Sequence, residues 1–572
     1  MESNVRINKK YLIVFLIIWV VQMAAAFYFC TQKQGFHEDE YYTYYSTART
    51  AGFYVEDGQW MDRETYRSEF VVLPEERFQY GLVKQVQSWD VHPPMYYWVF
   101  HTVASLVPDV FSKWIGLSVN LFFHGINIVL LTYLSYLVSG RDVKLTLLAT
   151  LVYGLSPAAM SGVVFIRMYE MLTTFVLLCA LLHIQTVRRG EKRLSVMRSL
   201  VPMTVVTYVG FLTQYYYFIF LFFLAVSFCV WLLWKDRNLW NCLRYGISQG
   251  IAFVFAYLTY PSFPAQMFRG QRGAQATENF FDLSNTFGRV WFFLDLMNRY
   301  VFGYMFFLLL LIIVLLAVVL RRCSNRSVGK EKNVRGEPGF VVRQQDEIEE
   351  SQHSSGQLGV GFYMLLFTVA GYFLTVSKTA LLLGETSNRY QLPIYGIVVL
   401  LTFLTVKTLW ERVIGASAMN GGKIPAFAIR HRGITEKAAV VFCLAMLVLA
   451  YWREDVVFLY SEDREQTAYA KQRAAENTPA VYLYQPGEEW CIWDVTNELL
   501  EYPGVYFIAV DHAGTFVDDK IRNAHSLVVY LPKMEHAKEQ LVELCGKNEV
   551  LADCQPQYVF AEKYCDVFYV EK

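Results

Sequence analysis

The chain alternates between long apolar runs and short polar breaks. Residues 11–29, 115–138, 206–234, 300–320 and 390–406 carry few or no charges. Each is about long enough to cross a hydrocarbon core of about 30 Å. Extending this reading gives eleven spanning helices, near 11–29, 112–138, 143–160, 168–187, 199–213, 214–234, 245–262, 299–320, 358–376, 390–410 and 437–452. The fifth and sixth are parted only by the tyrosines at 215–217. The first run follows a basic start (Arg6, Lys9, Lys10), as a signal peptide would, with AAA at 24–26 resembling a cleavage site. It continues through Phe27, Tyr28 and Phe29, so it is read as a membrane anchor.

Two further patterns lie outside the spans. Residues 95–107 are apolar but too short to cross, and read as an amphipathic or re-entrant helix within a first loop at 30–111. After residue 452, a helix near 453–478 precedes the strand-like runs AVYLY, GVYFIAV and SLVVYLP, with helices near 493–501 and 534–546. The predicted fold is thus an α-helical polytopic membrane protein with a small C-terminal α/β domain. The expected division is 1–452 for the membrane domain and 453–572 for the tail. A polar stretch at 321–357 reads as a flexible loop.

Composition agrees: 55% of residues are hydrophobic and only 18% charged, below the ~25% of ordinary soluble domains. Net charge is zero, and no nucleic-acid partner is expected. The tail is acidic, with 22 Asp and Glu against 11 Lys and Arg over 453–572. Its cysteines, Cys491, Cys545, Cys554 and Cys565, fit no metal spacing and leave disulfides and free thiols both open. Lys and Arg crowd the loops at 188–198, 235–244, 321–335 and 411–437. With eleven spans these four share one face with the N-terminus, which makes that face cytoplasmic. The segments 30–111, 263–298 and 377–389, and the tail, then lie outside the plasma membrane.

The candidate chemistry falls on that outer face. His37-Glu38-Asp39-Glu40 follows the first span directly. Three adjacent carboxylates near low dielectric need a cation or a proton, which suits a general base or a metal site; a solvated loop start is the plainer reading. Asp90 and His92 precede Pro93-Pro94, which fix an extended entry into a helix carrying Tyr96 and Tyr97. Arg167-Met168-Tyr169-Glu170 and Asn388-Arg389-Tyr390 sit at span ends, where an arginine either snorkels or binds an anionic headgroup. Arg269 and Arg272 read as solvated. Acid, aromatic and guanidinium groups on one face suggest a site for an amphiphilic phosphate.

These motifs resemble the glycosyltransferase C superfamily, in the branch of protein O-mannosyltransferases and bacterial lipid A aminoarabinose transferases. The likeness covers roughly residues 1–410. It rests on Asp39-Glu40, His92-Pro93-Pro94-Met95-Tyr96-Tyr97, Arg167-Met168-Tyr169, and Arg389-Tyr390 with Pro393. It implies a transferase that moves a sugar from a polyprenyl-phosphate donor to a hydroxyl of a glycan, lipid or protein, with inversion. It implies Asp39 as general base with Glu40 in support, and Arg389, Arg167 and Tyr390 at the donor phosphate. Asp90, His92, Tyr96, Tyr169 and Glu170 would line the acceptor and sugar side. A divalent metal is admissible but not obligatory, with His37, Glu38, Asp39 and His92 as candidate ligands. The chain departs from the pattern at Val163-Val164-Phe165-Ile166, where relatives often carry an acid, and at Lys113, where they often carry Arg. The small tail points to a bacterial enzyme. Two other readings are a flippase for a lipid-linked envelope intermediate and a non-catalytic scaffold. The first would want ionisable groups inside the spans, which hold chiefly His124 and His183.

Overall fold

In the computed structural model, residues 9–48, 55–237, 239–331, 358–419, 432–514, 518–547 and 555–571 are described. The expected polar loop at 321–357 falls mostly outside this set, as does Cys554. Among the described residues, nine helices are long and apolar enough to cross a membrane: Lys9–Gln32, Lys113–Val138, Tyr169–Arg189, Val196–Thr213, Tyr216–Lys235, Phe306–Cys323, Val360–Thr379, Leu392–Ser417 and Thr435–Arg453. Val143–Gly154 and Pro157–Val164 make a tenth if taken as one span bent by 55°. The bend sits where Ser156 caps the second piece and Pro157 opens it, since proline cannot donate to the preceding turn.

The seventh expected span is the helix Leu239–Thr259. It is less apolar, yet it joins the same two loop layers. Asn241 bonds Lys192 and Leu194 at one end, while Tyr260 donates to the Gln87 carbonyl at the other. The eighth begins later than expected, at Phe306. Residues 299 and 300 instead close a separate helix, Thr286–Tyr300. The first run is part of the bundle: Gln22 Nε2 donates to the Thr150 carbonyl and Trp19 Nε1 to that of Gly125.

At one end, two of the basic loops, at 188–198 and 235–244, meet. Lys235 donates to the Glu191 carbonyl, and Lys144 pairs with Glu436. The first loop and the tail gather at the other. There the short apolar segment forms the helix Met95–Leu106, tucked under the helix Glu38–Ala48.

The tail strands are β2 (Ala480–Tyr484), β3 (Gly504–Ala509) and β4 (Ser526–Pro532), joined by β5 (Gln555–Ala561) and β6 (Cys565–Glu571). The sheet also takes a strand from the first loop, β1 (Gln59–Asp62), giving the order β1-β3-β2-β4-β6-β5. β2 runs parallel to β3 and β4, and the remaining pairs are antiparallel. The sequence reading missed three of these six strands. Alternation along the strands serves two cores. Tyr482, Phe507 and Tyr530 join Trp493, Phe70 and the membrane-domain core. Leu483, Ile508 and Val529 face Ile521, Leu541 and Cys545 on the far side. The tail is therefore continuous with the first loop.

Candidate active site

The HEDE segment begins a helix, and its acids sit where a helix favours negative charge. His37 acts as the cap: its Nδ1 accepts the Asp39 N–H at 3.0 Å, and Glu40 Oε2 accepts the His37 N–H at 2.6 Å. This reciprocal arrangement is a capping box with histidine in the leading place. Burial pushes the His37 imidazole down to about 3, so the ring is neutral and its Nδ1 can accept.

Successive helical residues point about 100° apart, and the three acids part ways. Glu38 turns to the tail, where Lys563 Nζ lies 2.5 Å away and the Tyr564 hydroxyl donates at 3.3 Å. Glu40 turns inward and is fully buried. It pairs with Lys33 at 2.8 Å and accepts the Ile166 N–H at 2.6 Å. Burial raises the Glu40 carboxyl and lowers the Lys33 ammonium, each opposed by the other. Glu40 thus ties the first loop to the turn that carries Arg167. Gly116 lets that turn approach, because a Cβ there would meet Ile166 at 2.0 Å.

Asp39 keeps about a third of its side chain exposed and lies 3.1 Å from Arg389 Nη2. Burial works to raise its carboxyl. Arg389 and then Arg167 outweigh burial and hold it well below the usual carboxylate range. Arg389 is buried, flanked by the faces of Phe165 and Tyr390 at 5.1 Å each. Its Nε and Nη1 are buried and meet no acceptor among the described residues.

Arg167 is held from several sides. Nη1 donates to the Asp39 carbonyl, Thr43 Oγ1 and the Tyr97 hydroxyl at 3.0–3.1 Å. Nη2 donates to His92 Nε2 at 3.2 Å, which leaves His92 Nδ1–H to donate to Asp90 at 2.9 Å. Burial pushes the Asp90 carboxyl up, but His92 and Arg167 hold it down. Tyr169 packs at 5.9 Å on Phe165 and 6.0 Å from Tyr390.

The structure therefore brings His37, Asp39, Asp90, His92, Arg167, Tyr169, Arg389 and Tyr390 together. Besides Glu38 and Glu40, which turn to the tail and to Lys33, two predicted site residues stand apart. Glu170 faces the membrane core, where it accepts from Asn127 at 2.8 Å and lies 3.5 Å from His124. Tyr96 is buried against Phe100 and Tyr97. Arg269 is exposed, in keeping with its solvated reading. Among the described residues no three His, Cys, Asp or Glu side chains are grouped to hold a metal ion. His37 and Asp39 are bound up in the cap and the ion pair, and His92 in its bonds to Asp90 and Arg167.

Sequence reasoning missed the loop after the last span. Phe458 stacks on Phe165 at 4.0 Å, and its carbonyl accepts from Lys33. Phe458 and Tyr460 both take positive φ, 72° and 50°, a conformation side chains rarely adopt. Only contacts from residues far away in sequence enforce it, and no local pattern signals it.

No protein-family model and no curated protein matches the sequence. Among solved structures, the chain is similar to ArnT from Cupriavidus metallidurans bound to undecaprenyl phosphate, at 13% identity and TM-score 0.50, over 98% of this chain and 97% of that one. ArnT in the apo state also matches, at 11% identity and TM-score 0.45 over 92% and 96%. So does the archaeal oligosaccharyltransferase AglB from Archaeoglobus fulgidus, at 10% and TM-score 0.39 over 98% and 74%. The likeness to ArnT over nearly the whole of both chains gives this polytopic membrane protein the fold of that structure.

Proposed function

We propose that the chain is a membrane glycosyltransferase that moves a sugar from a polyprenyl-phosphate donor to an acceptor hydroxyl on the outer face of the plasma membrane. One observation carries the reading: a partly exposed carboxylate lies 3.1 Å from a buried guanidinium that has two further nitrogens unsatisfied among the described residues. A buried cation with free donors attracts a phosphate. The Phe165 and Tyr390 faces hold that cation in place beside Asp39.

In the reaction, the acceptor oxygen attacks the anomeric carbon opposite the phosphate. The carbon–oxygen bond to phosphate breaks, and its electron pair stays on the phosphate oxygen. The acceptor proton passes to Asp39, and the configuration inverts. Arg389 neutralises the leaving phosphate. Arg389 is then shared between phosphate and Asp39, which weakens its hold on the carboxylate and restores basicity when a proton must be taken. Arg167, braced by Tyr97, His92 and Asp90, fixes the backbone of Asp39 through its carbonyl and acts as a positioning residue. Glu40 does the same from below.

The test is genetic and chemical. Envelope glycans and glycolipids of cells lacking the gene are compared by mass spectrometry with cells restored by wild type or Asp39→Asn. A modification restored by wild type alone supports the reading. Restoration by Asp39→Asn overturns the assignment of the base.

A further inference from the structure

A cavity of about 140 Å³ opens on the tail domain, where the parallel strands β2 and β4 end. Ligands bind at the carboxyl ends of parallel strands in open sheets. Its walls include Tyr482, Tyr484 and Tyr564, with Glu488, Lys533 and Lys563 among them. Trp490, half exposed, sits edge-on to Tyr564 at 5.0 Å. Flat aromatic walls with interspersed charged donors and acceptors suit a ring that carries both C–H faces and hydroxyls. Its volume, below the ~300 Å³ of ordinary small-molecule pockets, limits the enclosed part of an occupant to about one ring.

The position of the cavity matters as much as its lining. Lys563 and Tyr564 both reach Glu38, the residue before Asp39. Asp494 accepts the backbone N–H of Lys563 and of Tyr564 and so fixes their turn. The cavity thus shares a wall with the helix turn that carries the base. We propose that it is an acceptor subsite, holding one pyranose unit of a glycan whose hydroxyl is glycosylated at Asp39. This rests on the transferase reading above.

The experiment is saturation-transfer NMR on the full-length protein in detergent. The probes are the methyl glycosides of glucose, galactose, N-acetylglucosamine and glucuronic acid. At least one probe is expected to give signal. Glu488→Ala and Lys533→Ala, both exposed positions, are each expected to cut it at least fivefold, while Asp39→Asn retains it. Silence from all four probes, or signal unchanged in both cavity variants, overturns the subsite. Because the Asp39→Asn restoration is scored separately, loss of the subsite leaves the transferase reading standing. Sugar binding together with an active Asp39→Asn protein overturns the link between cavity and base.

Discussion

Two groups of carboxylates meet where the first loop joins the tail, and they are handled in opposite ways. In the first, each acid has its own cation: Lys563 for Glu38, Arg389 for Asp39, Lys33 for Glu40. In the second, Asp463, Asp494, Glu498 and Glu562 crowd one another. Burial pushes Asp463 up to about 7 and Glu562 up to about 8, and Glu498 lies well above the ordinary range. Lys33, Lys563 and Lys533 temper this group without neutralising it. One Glu498 oxygen is buried with no partner among the described residues. The same residue type thus meets a cation on one side of the loop, where Asp39 is held well below the usual range, and other acids on the other, where burial raises it. Surroundings, rather than residue type, decide which acid can act as a base.

The comparison can be broken at its charged end first. Asp39→Asn should lower transfer by about 10²–10⁴-fold, the usual contribution of a general base, and should also lower the melting temperature, because buried Arg389 loses its carboxylate; rates in proteoliposomes and a thermal melt check both. Arg389→Gln should cost about 10²–10³-fold. It should also raise the acid limb of the pH–rate profile, because Asp39 loses the cation that depresses it. Lys33→Met leaves Glu40 buried without its partner and should destabilise the protein by about 3–5 kcal/mol. Adding Glu40→Gln should recover part of that loss, as read by denaturation in detergent.

The second group sharpens the comparison through pH. Its carboxyls hold protons more tightly folded than unfolded, so they stabilise the fold below about pH 4 and lose that effect as pH rises through 7 to 8. The melting temperature should therefore fall by a few degrees between pH 5 and 8.5, and Asp463→Asn with Glu562→Gln should flatten the decline. The smallest effect belongs to Lys563→Ala. Its pair with Glu38 is partly exposed, so the loss should stay within about 1 kcal/mol.

Much of the architecture was legible in the chain. Apolar run length located the spans, because crossing a bilayer is a local requirement on composition. Short continuous apolar runs announced β2, β3 and β4, which are buried almost throughout. β5 and β6 escaped notice because their exposed and polar positions blur the pattern, and β1 because four residues, two exposed and two half-buried, carry none. In the site, Asp39, Arg167 and Arg389 were readable as a charge constellation on one face. Glu170 was misplaced because a helix start gives no hint of which way its first turn faces.

The sequence by itself determined that this chain spans a membrane repeatedly and carries an acidic helix start beside one end of the bundle. Those properties are sums over neighbouring residues. Only the tertiary structure decided which acid of HEDE faces Arg389, which is tied to the tail and which is sealed on Lys33. The partners lie far off in the chain: Lys563 is 525 positions from Glu38, and the Phe458 carbonyl that helps hold Lys33 is 425 away. Burial and charge at a site are set by what packs there, and local composition does not record the packing partner.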